Sequence, residues 1–263
     1  MKKITGLLVA MLLLTACGSV PLTGRRQMLL VSDAEVLNAS LSQYSDYIKT
    51  APKSTNTTYV AEVSRVGKNI ATATEKYLRD NGLESEIQYF AWEFNTIKSD
   101  EINAFCMPGG KIVVYEGLLK LVASDDELAA VVGHEVAHAV ARHSNERMSQ
   151  ELVAQYGAAI LGQALANKST AIQQIVNGAY GLGGQGVLLK YSRKHELEAD
   201  YMGLALMTMG GYDPNKALTF WQKMSAASAG NAPPEFLSTH PSDSRRISEI
   251  QKYLPEMEKY KTK

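Results

Sequence analysis

The chain has 263 residues, with 27 lysines and arginines balancing 27 aspartates and glutamates, five histidines and two cysteines. Apolar residues make up 45% and charged residues 21%, a globular composition that excludes disorder, collagen and long coiled coil. A formal charge of zero argues against a nucleic-acid partner, and two cysteines are too few for a disulfide scaffold.

At the start of the chain, Lys2 and Lys3 precede an apolar run over residues 4–16. That run is too short to span a bilayer but suits the core of a signal peptide. It ends Leu14-Thr15-Ala16-Cys17, which resembles a bacterial lipobox. Residues 1–16 are therefore expected to be removed and Cys17 to carry acyl chains, more than one of which gives stable anchoring. An ordinary secretory signal with an incidental cysteine is the alternative. Residues 17–32 read as a lipid-anchored tether, with Arg25 and Arg26 a solvated pair near the membrane, and residues 33–263 as one domain. Cys106 is then a lone thiol.

Apolar spacing predicts helices over residues 33–49 and 59–79, the second ended by Asn81-Gly82. Alternating aromatic residues predict a strand over 87–94, followed by extended segments at 101–107 and 111–115 around the turn Pro108-Gly109-Gly110. Beyond Tyr115 the pattern is helical, near residues 117–123, 125–143, 146–166, 170–176, 193–209, 215–227 and 242–260. The apolar stretches 152–166 and 171–189 are interrupted by amides and glycines, so neither reads as a membrane span.

His134-Glu135-Val136-Ala137-His138 matches HExxH. Two histidines four apart on a helix are offset by about 40° and about 6 Å of rise, so both can reach one ion. The helix is apolar nearly all round, which marks it as buried, and Ser124 with Glu127 forms a capping-box pair at its start. Polar side chains left unpaired inside such a helix cost roughly 2–7 kcal/mol each. One Zn²⁺ would satisfy both imidazoles, with Glu135 as general base beside a metal-activated water, which points to amide hydrolysis. Histidines in structural hydrogen bonds are the bland alternative.

A third ligand must follow. His143 does not fit the metzincin spacing, since Ala141 and Ser144 stand where that pattern needs Gly and His, so it reads as a helix-end residue. His195 has no partner at helical spacing. Glu196 is the better candidate, with Asp200 four residues on as acceptor for an imidazole N–H. Glu198 points about 200° away from Glu196. A solvated acidic face is the competing reading of this cluster.

The segments 134–143 and 191–200 together resemble the HtpX and CAAX-prenyl-protease family of gluzincin metallopeptidases, particularly its lipoprotein and mitochondrial stress-protease branch. The resemblance extends to Asn103-Ala104-Phe105, Pro108-Gly109-Gly110, Gly117-Leu118-Leu119, Thr239-His240-Pro241 and Arg246-Ile247. It implies an α+β fold: a mostly helical, zincin-like metallopeptidase domain with a small mixed β-sheet next to the HExxH helix. It implies zinc ligands His134, His138 and Glu196 with Glu135 as base, and a substrate strand laid along Asn103, Ala104 and Phe105. A plain core strand is the alternative for that segment. His240 is expected near the metal, stabilising the oxyanion or filling the open coordination position, or else capping the last helix. Arg246 is expected to fix its segment by an ion pair.

The whole reads as a membrane-anchored zinc endopeptidase acting on unfolded or damaged envelope polypeptides. It would face the periplasm, with the outer membrane favoured over the inner. The rival is a non-proteolytic envelope chaperone or assembly lipoprotein retaining a structural zinc. The glycine-rich span 177–186 is expected to act as a mobile lid.

Overall fold

The structure, a computed structural model, describes residues 17–156, 170, 172, 174, 191–227, 236, 240 and 244–261. The expected signal peptide and the expected lid at 177–186 lie outside these residues. Two short strands, β1 (Cys17–Ser19) and β2 (Arg26–Met28), pair antiparallel. Helices α1 (Asp33–Thr50), α2 (Thr57–Asp80) and α3 (Glu84–Ile87) follow. Then come β3 (Glu93–Ile97), β4 (Ala104–Met107) and β5 (Lys111–Tyr115), and the helices α4 (Glu116–Leu119), α5 (Asp125–Val140) and α6 (His143–Tyr156). The C-terminal half holds α7 (Arg193–Met209), α8 (Asn215–Ala227), α9 (Ser244–Tyr253) and a 3₁₀ turn over Leu254–Tyr260, where Pro255 stops the α-helical bonding. The protein is thus a mostly helical α+β fold with a small mixed sheet.

The sheet has the order β3-β5-β4, with β3 parallel and β4 antiparallel to the central strand. Central β5 is buried on both faces, which its run Ile112-Val113-Val114 allows. Period-two alternation sends Ile112 and Val114 to the main core, with Val66 and Ile70 of α2, Val132 and Val136 of α5, and Met202 and Leu206 of α7. Val113 and Tyr115 turn to the other face, where Phe105 and Met107 meet Tyr44, Tyr47 and Ile48 of α1. Among the described residues no helix is long and apolar enough to cross a membrane.

Two expectations are corrected. The strand expected at 87–94 begins at Glu93, because the helical turn of α3 continues through Tyr89 N–H on the Glu86 carbonyl and Phe90 N–H on the Ile87 carbonyl, which keeps residues 87–90 out of the sheet. The segment expected as a tether is folded against the body from Cys17 onward. Val20, Gln27 and Val31 are buried, and Arg25, expected to be solvated, keeps only 14% of its side chain exposed. Its guanidinium is paired with Glu146 and Glu198, which removes the reason to stay in water.

Candidate metal centre

Helix α5 starts at Ser124, whose hydroxyl accepts the Glu127 N–H, while the Glu127 carboxylate accepts from Ala123 N–H and Lys223. Three acidic residues in the first turn favour the positive end of the helix dipole. From there the helix runs buried through the core and carries His134, Glu135 and His138 inward. Helix α7, capped by the Ser192 hydroxyl on His195 N–H, crosses α5 at a glycine pair. A Cβ on Gly203 would lie 2.9 Å from His134 N, and one on Gly133 2.9 Å from Gly203 O. No larger residue permits that approach, and it is what sets Glu196 beside the two histidines.

His134, His138, Glu196 and His240 converge, each buried, with one donor atom apiece within 4.8 Å of one another. His134 Nε2 lies 3.1 Å from His138 Nε2 and 3.2 Å from His240 Nδ1. Glu196 Oε1 is 3.5 Å from His138 Nε2 and 3.2 Å from His240 Nδ1, and Oε2 is 3.4 Å from His134 Nε2. Lone pairs from three imidazoles and a carboxylate, packed this closely in a dry interior, fit a tetrahedral cation such as Zn²⁺. A further sign is Glu135: its Oε1 is buried without a hydrogen bond, 3.5 Å from His240 Nε2. Such an orphaned oxygen awaits a partner that arrives with a ligand.

Electrostatics divide the groups. Burial raises the Glu135 pKa, a direction that makes it a better proton acceptor. Burial would also raise Glu196, but His240, Arg246 and the bonds from His134 and His138 hold it well below the usual carboxylate range. His138 is kept neutral, its pKa pushed well down by burial. Burial and Arg246 push His134 down as well, yet Asp200 and Glu196 outweigh them and raise it to about 9. Metal binding would therefore displace a proton from His134.

Asp200 Oδ1 stands 3.0 Å from His134 Nδ1, in the place expected for the acceptor of its N–H. Arg246 grips Asp200 through Nε and an Nη at 2.5 and 2.7 Å, and donates to the His240 carbonyl at 3.4 Å. Its guanidinium lies 3.6 Å over the Trp221 ring, which supports it from below. The expected ion pair of Arg246 thus reaches Asp200 and Glu196 (3.0 Å) and holds the His240 segment in place.

The edge strand β4 pairs with β5 alone among the described strands and packs beside α5. Ala104 is buried against the core, and the Asn103 Oδ1 just before it is buried without a partner. Phe105 turns its ring to the far face against Tyr47 and Tyr115. Cys106, a free and buried thiol, is pushed well up by burial and by the nearby Glu135 charge. A cleft lined by Val36, Leu37, Tyr89, Phe90, Met107 and Tyr191 reaches His138.

Three residues that the sequence placed elsewhere join the centre. His143 is buried at the start of α6, with Nδ1 2.9 Å from His138 Nδ1, rather than standing at the end of the HExxH helix. His195 stacks on His143 at 4.6 Å, and Glu198 accepts from His143 at 3.1 Å. Helical geometry did point Glu198 away from Glu196, but the face it occupies meets α6 and the N-terminal hairpin, which no local periodicity reveals.

The family described as Peptidase family M48 matches residues 64–254, well over half of the chain. The chain is 41% identical over 175 residues to the mitochondrial metalloendopeptidase OMA1 of Schizosaccharomyces pombe, covering 63% of this chain and 47% of that protein. Against the Arabidopsis thaliana protein of the same name it is 38% identical over 177 residues, covering 67% and 34%. Against the β-barrel assembly-enhancing protease of Escherichia coli it is 29% identical over 174 residues, covering 63% and 35%. The chain therefore spans about half or less of the length of these curated relatives.

Proposed function

We propose a function from one premise: this chain belongs to peptidase family M48. It is a zinc metalloendopeptidase with one metal per chain, held by His134, His138 and Glu196. The observation that carries this reading is the buried four-donor cluster with the unbonded Glu135 oxygen beside it. Zinc bound there supplies a Lewis acid for the scissile carbonyl and makes a water acidic enough to attack at neutral pH. Glu135 accepts the proton of the attacking water and delivers it to the leaving amine. His240, whose Nδ1 joins the cluster and whose Nε2 faces Glu135, would stand beside the bound zinc and stabilise the oxyanion. The substrate backbone adds to the edge of β4 at Asn103, Ala104 and Phe105.

The substrates are unfolded or damaged cell-envelope polypeptides, and the chain is held to a bacterial membrane, the outer in preference to the inner, by acylated Cys17. Support for this comes from the lipobox-like start, the lipoprotein-branch resemblance and the bacterial relative named for β-barrel assembly. Casein cleavage tests the core of the reading. It should be abolished by a strong chelator and restored by stoichiometric Zn²⁺; a chain that binds zinc but leaves casein intact under all conditions would support the chaperone alternative instead.

A further inference from the structure

Each histidine on α5 is backed by a carboxylate, but by different routes. Behind His134 the route is direct: Asp200, itself gripped by Arg246. Behind His138 it passes through a second imidazole. His138 turns Nε2 towards His134 and Glu196 and Nδ1 towards His143. With Nε2 free to bind a metal, His138 Nδ1–H donates to His143 Nδ1 (2.9 Å), and His143 Nε2–H donates to Glu198 Oε2 (3.1 Å). Only this set of tautomers lets every member of the chain make its bond.

Glu198 is in turn fixed from outside the matched family region. Thr23 Oγ1 donates to Glu198 Oε1 at 2.6 Å, and Arg25 Nε donates to Oε2 at 2.6 Å. The two Nη groups of Arg25 fork onto Glu146 at 3.0 and 2.6 Å. Glu146 also meets His195 Nε2 at 3.2 Å, and His195 stacks on His143. Arg25 thus braces His143 on two sides, through Glu198 and through Glu146 with His195. The turn that presents Thr23 and Arg25 is closed by Val20 N–H on the Arg25 carbonyl and contains Leu22 at φ +67°, a conformation costly for a branched side chain. Residues 64–254 hold the metal ligands, but the outermost link of this chain comes from residues 20–25.

We infer that the N-terminal turn is part of the metal centre: Thr23 and Arg25 are positioning residues that, through Glu198 and His143, orient His138 for zinc. Partners of this kind fix the ring and raise the basicity of the ligand, and their loss typically weakens metal binding by about 10–100-fold. The inference rests on the zinc reading of the site. It means that the segment nearest the proposed lipid anchor tunes the affinity of the metal site, so detaching that turn from the body would weaken metal binding without touching a ligand.

The test uses the full chain and its variants Arg25→Ala, Arg25→Lys, Thr23→Val and Glu198→Gln, with zinc affinity read by competition with a chromogenic chelator and Tm read on the metal-free proteins. Arg25→Ala and Glu198→Gln should each weaken zinc binding about 10-fold or more. Arg25→Lys should recover only part of the loss, because a single ammonium nitrogen cannot match the three separate nitrogens by which Arg25 grips Glu146 twice and Glu198 once. The double variant Arg25→Ala/Glu198→Gln should lose less than the sum of the two single losses, since the two changes share the path through Glu198. Arg65→Ala, which breaks an exposed pair with Asp125, should bind zinc as wild type does. Folded variants that lose Tm but keep zinc affinity within about twofold of wild type would show a merely structural hairpin and overturn the inference, as would fully additive losses. If Arg25→Ala does not fold, Thr23→Val and Glu198→Gln decide alone. A wild-type chain that takes up no zinc would overturn the metal reading along with this inference, an outcome distinct from zinc-binding wild type with unaffected variants.

Discussion

The contact that assembles the centre is the crossing of α5 and α7 at Gly133 and Gly203, and Gly203→Ala perturbs it with a single methyl group. The new Cβ would sit 2.9 Å from His134 N and 3.1 Å from Gly133 C and His134 Cα, all backbone atoms. Carbon contacts relax only near 3.5 Å, so the helices must part by roughly 0.5 Å. Metal–ligand distances tolerate shifts of about 0.2 Å, and Glu196 rides on the helix that moves. Zinc affinity and kcat/KM should therefore fall about 10–100-fold. Overpacking costs about 1–3 kcal/mol, while replacing a mid-helix glycine returns about 1 kcal/mol of helix propensity. The net effect on Tm should be a fall of no more than about 8 °C, small beside the loss of function. Gly210→Ala, at the end of the same helix with φ −74° and nothing closer than 3.3 Å to its Cβ, is the control. Zinc titration and casein kinetics on both variants provide the assay. A Gly203→Ala protein with wild-type zinc affinity and turnover would refute the argument that this crossing sets the ligand geometry.

Other perturbations address the groups around the ligands. Asp200→Asn removes one of the two carboxylates paired with Arg246 and leaves His134 only a neutral amide acceptor; it should destabilise the fold by about 1.5–3 kcal/mol and weaken zinc about 10–100-fold, measured by denaturant titration and chelator competition. Glu146 is raised by burial but lowered further by its bonds to His195 and Arg25, ending at about 2. A folded pKa below the unfolded value of about 4.5 stabilises the protein above that pH, and the contribution is lost as pH falls from 4.5 towards 2. Stability curves of wild type and Glu146→Gln should therefore be well separated near pH 6, draw together below about pH 4.5 and meet only as pH approaches 2; a constant gap across that range would contradict the ion-pair role.

Much of the centre was legible because its chemistry lies in local spacing. The four-residue interval of His134 and His138 and the apolar residues around them specify a buried metal-facing helix whatever surrounds it. Glu196 and Asp200 repeat the same interval, so their shared face could be read, and the helix bounds 193–209 and 215–227 agree with the structure. His240 and Arg246 carry no periodic signal and entered only through family resemblance. What escaped was long-range. Arg25 sits in a polar, glycine-containing stretch, and nothing local says that its charge meets Glu146 and Glu198 more than a hundred residues away. His143 and His195 lack a helical partner because their partner is each other, across two helices. The misplaced strand at 87–94 has a related cause: alternating aromatics do not reveal that Tyr89 and Phe90 bond back to Glu86 and Ile87 and hold that stretch in a helical turn until Glu93 joins the sheet.

The measurement that bears most directly on the central claim is zinc content and casein cleavage of wild type and Glu135→Gln side by side. Glu135 contributes no donor to the four-residue cluster, and its free oxygen faces that cluster. The substitution should therefore leave about one zinc per chain in both proteins while cleavage falls by about 10²–10⁴-fold in the variant. A variant that holds its zinc and still cleaves casein at the wild-type rate would contradict the account.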